Sequence, residues 1–123
     1  MQGKIALEEH FAIQATLNDS KVFGANVWEK LGPRLIDIHD MRLKEMDRHG
    51  IEMMILSLNA PAVQAIPDVR RAIAVAGEAN DVLADNVRQR PGRFAAFAAL
   101  PMQDPDAAIL EMKELGDNVF YGG

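Results

Sequence analysis

Ile5-Ala6-Leu7-Glu8-Glu9-His10-Phe11 mixes apolar residues with three polar ones near the start of the chain. As a β-strand its side chains alternate between faces, so Glu8 and His10 project together from one side and Glu9 from the other. A carboxylate and an imidazole at that spacing can share one divalent metal. Mixed oxygen and nitrogen donors suit zinc or manganese better than calcium, which takes oxygen throughout. Two donors do not complete a site. A catalytic zinc takes three protein ligands and an open position, so at least one more ligand has to come from elsewhere. The plainer alternative is a polar strand end with both groups solvated.

Working outward, residues 12–32 carry no sustained periodicity beyond a short helical stretch, Asn26 to Leu31. Connections in α/β units are usually about 2–6 residues, so a segment this long is either functional or disordered. Phe11, Phe23 and Trp28, three of the seven aromatic residues, gather at this end of the strand. Such rings can wall a site for a flat ligand, although anchoring a loop is their commoner use. Pro33 is expected to open a helix that runs to about His49, since proline suits the first helical turn. Leu31, Leu35, Ile36, Ile38, Leu43 and Met46 cover its apolar arc, and His39 and Arg42 fall inside that arc. His39 is expected to be a hydrogen-bonded packing residue. Arg42 is expected to reach past the core to a carboxylate or carbonyl. His49, just before Gly50, suits a helix C-terminus.

Ile51 to Leu58 is a short apolar run of the kind found in buried parallel strands. Residues 59–67 contain two prolines and form a loop, after which Asp68 can cap a helix running to about Arg90, where Pro91-Gly92 stops it. Val69, Ile73, Ala76, Asn80, Leu83 and Val87 recur at steps of four and three. Asn80 must therefore find backbone partners inside a buried stripe. Phe94 to Leu100 reads as a third strand. Asp104-Pro105 opens a further helix with Ala108, Met112 and Leu115 inward and Gly116 at its end. Asn118 to Tyr121 carries a fourth strand signal.

The order β-α-β-α-β-α-β implies a parallel sheet with right-handed crossovers. A complete (β/α)8 barrel takes about 250 residues, so 123 residues supply roughly three and a half βα units. The predicted fold is accordingly α/β, the N-terminal portion of a TIM barrel, with residues 1–123 as a single incomplete domain. Such barrels carry their chemistry at the carboxyl ends of the strands, where Glu8 and His10 lie. Half a barrel leaves sheet edges and apolar faces in need of cover, either from further chain or from other copies. The closing strand signal favours further chain.

Composition narrows the choice. The chain is 49% hydrophobic with a formal charge of −5, and Arg70-Arg71 is its longest basic cluster, which argues against nucleic acid. Absence of cysteine leaves carboxylate and imidazole as the metal donors and fits a cytoplasmic protein. No apolar run approaches the roughly 20 residues of a membrane span, and no signal peptide pattern opens the chain. No Gly-rich phosphate loop follows any strand.

Several segments together carry a resemblance. They are Gly3 through Phe11, Arg42-Leu43 through Met46-Asp47 to His49-Gly50-Ile51, and Ile55 through Gln64. Ala79-Asn80-Asp81, Arg90-Pro91 and Phe97-Ala98-Ala99-Leu100-Pro101 continue it. Over residues 1 to about 116 the sequence resembles the amino-terminal part of the γ-resorcylate (2,6-dihydroxybenzoate) decarboxylases of the amidohydrolase superfamily. Residues 116–123 drift from that pattern. The resemblance implies a metal-dependent, non-oxidative decarboxylase in which Glu8 and His10 ligate Zn2+ or Mn2+ and Phe23 walls the aromatic carboxylate substrate. It further implies that the remaining histidine and aspartate ligands and the proton-donating aspartate come from later strands. No catalytic residue then lies within this chain, and the isolated fragment is inactive. A homo-oligomer, dimer or tetramer, is implied for the full-length protein. Two alternatives stay open: a metal-dependent hydrolase of a lactone or amide in the same superfamily, and a non-catalytic α/β interaction module.

Overall fold

The structure is a computed structural model that describes residues 3–19 and 24–116. Its elements run β1 (Lys4–Phe11), α1 (Ala25–Ile36), α2 (Met41–His49), β2 (Ile51–Leu58), α3 (Val69–Gln89), β3 (Phe94–Ala96) and α4 (Pro105–Leu115), with a 3-10 turn at Ala62–Ala65. The strands form one parallel sheet in the order β1-β2-β3. All three carboxyl ends therefore meet at one rim, and the loops after β1, β2 and β3 leave from it.

Helices cover one face of this sheet. Met54, Leu56 and Leu58 are buried on that side, alternating with the half-buried Met53, Ile55 and Ser57. The core joins Phe11, Met46, Leu56, Leu83 and Phe94 with the alanines of α3 and β3. Small residues there let the long α3 lie close on the sheet, where full burial of each larger apolar side chain contributes about 1.5–3 kcal/mol. The opposite face is uncovered: Ile5 and Leu7 of β1 are 47% and 61% exposed. An apolar face of this kind calls for cover.

Local chemistry sets the element ends. Asp68 accepts the Arg71 N–H at 2.8 Å and Asp104 accepts the Ala107 N–H at 3.1 Å, so both helices start on aspartate caps. Gly50 closes α2 in the left-handed conformation at φ 67°, with His49 in the last turn. Asn80, buried in α3, donates to the Ala99 carbonyl at 2.9 Å and accepts the Ala99 N–H at 2.8 Å, and it also donates to Glu111 at 2.8 Å. His39 is held as a packing residue, with Nε2 2.8 Å from Asn86 Oδ1 and its ring edge-on to Phe94 at 5.9 Å between centroids.

Four expectations are corrected. Pro33 does not open a helix that reaches His49; it lies inside α1, which ends at Ile36, and α2 begins separately at Met41. Pro33 cannot donate to the carbonyl four residues back, which weakens the last turn of α1. The chain then extends at Asp37, whose carboxylate accepts the Arg42 N–H at 2.9 Å and so serves the start of α2. The third strand spans Phe94–Ala96 only, with one further bond from Phe97 N–H to the Leu56 carbonyl at 2.9 Å. Met112 of α4 is 51% exposed, because Ala108 alone of that helix is buried. Val69 is 38% exposed at the start of α3, where Ala72 and Val75 are buried instead. The fourth strand signal, Asn118 to Tyr121, lies outside the described residues.

Candidate functional site

Strand β1 does not keep a plain alternation. Ala6 pairs with Met54 and Glu9 with Leu56, so three steps on β1 match two on β2, and the register resumes with His10 opposite Ser57 and Phe11 opposite Leu58. The extra residue makes a β-bulge. Glu8 stands in it with φ 61°, a left-handed conformation that costs a non-glycine residue about 1–2 kcal/mol. Glu9, opposite buried Leu56, is on the helix-covered side, and His10, opposite Ser57, is on the uncovered one. The alternation that separates Glu9 from His10 therefore holds, whereas Glu8 is re-aimed by the bulge. Glu8, Glu9 and His10 all line one cavity of about 540 Å³, at the free edge of β1, together with Arg34, Asp37 and Arg42.

Arg42 ties this rim together. Its guanidinium donates to the carbonyls of His10 at 2.7 Å, Arg34 at 3.0 Å and Asp37 at 3.1 Å. Three main-chain acceptors from the end of β1 and the end of α1 thus converge on one planar donor. Burial pushes the guanidinium below its ordinary pKa, and the charges of Glu9 and Asp37 oppose that shift. It stays protonated, as arginine does in proteins. The imidazole of His10 has its own partner: Nδ1 lies 3.2 Å from Ser57 Oγ.

The loops leaving the rim are stitched to each other. Thr16 and Asn59, both buried, exchange two hydrogen bonds, and the Asn59 N–H donates to the Phe11 carbonyl at 2.8 Å. Gln103, after β3, donates to the Val63 and Ile66 carbonyls at 2.6 and 2.8 Å. Among the described residues, no group of three or more His, Asp or Glu side chains is placed to hold a metal ion. Glu8 and His10 are one oxygen and one nitrogen donor beside a cavity, the chemistry a borderline divalent cation accepts, with further donors required. Phe23 lies outside the described residues. Sequence reasoning missed Ser57, Asn59 and Thr16. Ser57 had a signal, as the one hydroxyl in the apolar strand β2.

A parallel βα unit with polar groups gathered at the carboxyl rim defines the class, and the comparison with known families names it. The amidohydrolase family model matches residues 10–121, and the chain belongs to that family. More particularly, the chain is 61% identical, over its whole length, to the γ-resorcylate decarboxylase of Rhizobium sp. (strain MTP-10005), of which it covers 38%. A crystal structure of 2,6-dihydroxybenzoate decarboxylase complexed with 2,6-dihydroxybenzoate superposes with a TM-score of 0.94 at 62% identity, covering 100% of this chain and 39% of that one. The dihydroxybenzoic acid decarboxylase of Polaromonas sp. JS666, solved with bound manganese and the inhibitor 2-nitroresorcinol, gives 0.91 at 57% identity, covering 100% and 38%. The chain thus spans about two fifths of the length of the relatives it matches. Its fold is the amino-terminal portion of an amidohydrolase TIM barrel, with parallel strands.

Proposed function

We propose that residues 1–123 are the amino-terminal part of a metal-dependent, non-oxidative decarboxylase that converts 2,6-dihydroxybenzoate to resorcinol and CO2. The observation that carries this reading is the 61% identity to a γ-resorcylate decarboxylase across the whole segment. In this reading Glu8 and His10 hold a divalent ion, Mn2+ or Zn2+, and later strands supply its other ligands and the proton donor. The ion supplies Lewis-acid polarisation and a template for the substrate carboxylate and its ortho hydroxyl. Arg42 holds the His10 main chain in place, and Phe23 walls the substrate ring. The reaction needs one proton at the ring carbon that bears the carboxylate. Loss of CO2 leaves the C–C bonding pair in the ring and restores aromaticity.

We assign the full-length polypeptide to the cytoplasm as a homo-oligomer; among the described residues no helix is long and apolar enough to cross a membrane. The exposed Ile5 and Leu7 of β1 weigh against a self-contained interaction module.

The test is CO2 release from 2,6-dihydroxybenzoate by the full-length polypeptide, before and after dialysis against EDTA and after addition of Mn2+ or Zn2+. Metal-dependent release supports the reading. Cleavage of a lactone or amide without CO2 release replaces it with the hydrolase reading. The 123-residue segment alone is expected to bind metal weakly and to release no CO2. Robust turnover by the segment would refute the assignment of essential groups to later strands.

A further inference from the structure

We infer that Ser57 is a positioning residue for His10: its hydroxyl accepts the Nδ1–H of the imidazole, fixes that tautomer, and leaves the Nε2 lone pair free to take a metal. The inference rests on the reading of His10 as a ligand. Three observations carry it.

First, the two residues are register partners across β1 and β2, on the face the helices leave uncovered, with Nδ1 and Oγ 3.2 Å apart. Second, both ends of this contact are held. Ser57 sits in the central strand, directly after Leu56, whose carbonyl accepts the Phe97 N–H at 2.9 Å, and the carbonyl of His10 is anchored by Arg42 at 2.7 Å. Third, Ser57 is out of character for its strand. The other residues of Ile51–Leu58 are apolar except Glu52 at the start, and serine has little to offer a pleated, half-buried surface.

A neutral imidazole has one N–H and one acceptor nitrogen, so the partner of one nitrogen decides what the other can do. If Ser57 donated to an unprotonated Nδ1, the proton would sit on Nε2 and close that nitrogen to a metal. With Ser57 as acceptor the ring is pre-set for coordination through Nε2. A hydroxyl can fill the role that carboxylates and backbone carbonyls fill beside many metal-bound histidines.

The experiment uses the metal-free, full-length polypeptide labelled with 15N-histidine, at a pH where the ring is neutral. Long-range 1H–15N correlation reads the tautomer of His10, assigned by loss of its signals in His10→Gln. Wild type is expected to carry the proton on Nδ1, Ser57→Ala to populate both tautomers, and Ser57→Thr, which keeps the hydroxyl, to match wild type. Mn2+ affinity by calorimetry is expected to fall about 10–100-fold in Ser57→Ala and to be retained in Ser57→Thr. A proton on Nε2 in wild type overturns the inference. So does an unchanged tautomer or unchanged Mn2+ affinity in Ser57→Ala where His10→Gln has lost Mn2+, and either result leaves the ligand reading standing. Unchanged Mn2+ affinity in His10→Gln overturns the ligand reading itself, and the inference with it.

Discussion

Thr16 and Asn59, 43 residues apart in sequence, are joined inside the protein by two hydrogen bonds: the Thr16 hydroxyl donates to Asn59 Oδ1 at 2.8 Å, and Asn59 Nδ2 donates to the Thr16 carbonyl at 3.0 Å. Both residues are essentially inaccessible, at 0% and 1% exposure, so neither group has water as an alternative partner. The pair locks the loop after β1 to the loop after β2 at the rim that carries Glu8 and His10.

Asn59→Ala should lower stability by about 1–3 kcal/mol in urea denaturation of the full-length polypeptide, because the buried Thr16 hydroxyl loses its acceptor at 2.8 Å and the Thr16 carbonyl keeps only the Asp19 N–H. Thr16→Ala should cost a similar amount. The double variant should fall short of the sum by about 0.5–3 kcal/mol, as expected for residues in one network. Strict additivity would show that the two loops are energetically independent.

Glu8 is held at φ 61° where a glycine would be unstrained. In the metal-free polypeptide, Glu8→Gly should raise stability by about 0.5–1 kcal/mol, the relief of the left-handed cost less the extra freedom glycine gives the unfolded chain. Glu8→Val should lower it. If Glu8 is a ligand, the glycine variant will gain thermal stability and lose Mn2+ binding together. A glycine variant less stable than wild type would show that the bulge stores no strain.

Arg42→Lys should lower stability by about 1–3 kcal/mol, since one ammonium cannot replace a planar fork shared among three carbonyls. The same change should weaken Mn2+ binding, because the main chain of His10 loses its anchor at 2.7 Å. Calorimetric Mn2+ affinity equal to wild type would confine Arg42 to a role in α1 and α2.

Asn80→Asp should be more damaging than Asn80→Ala. Aspartate keeps an acceptor for the Ala99 N–H but turns a carboxylate oxygen toward the Ala99 carbonyl and Glu111, both acceptors. Each buried group left unpaired costs about 1–3 kcal/mol, and an ionised one more. Thermal denaturation of the two variants gives the ranking, and a milder effect for Asp would contradict the donor role of the amide.

What could be read from sequence was what local chemistry determines. Asp68, Asp104-Pro105 and Gly50 mark their helix ends with short-range hydrogen bonds or a left-handed turn, and the strand-helix alternation dictates a parallel sheet. Asn80 announced its need for partners by sitting in an apolar stripe. The bulge at Glu8 was not legible, because it exists only in the register between β1 and β2. Nor was the break between α1 and α2: Asp37 ends one helix by serving the first turn of the next, and Arg42 secures the corner through carbonyls from two other elements. The exposure of Met112 follows from α4 burying Ala108 alone among its residues, which a helical period cannot reveal. In the site, residue types pointed to Glu8 and His10 and to an Arg42 that reaches a carbonyl, while the contact of Ser57 with His10 is defined only by the register across the sheet.

β1 is an outer strand of the sheet, paired on one side by β2. A ring of strands closes where its last member meets its first. If a later strand pairs with this free edge in the full-length polypeptide, as the proposed function requires, Glu8 and His10 stand at the seam, and an ion held there would tie β1 to the strand that meets it. Metal occupancy would then report on closure itself, and depletion of the ion should loosen the seam before the helices beneath it.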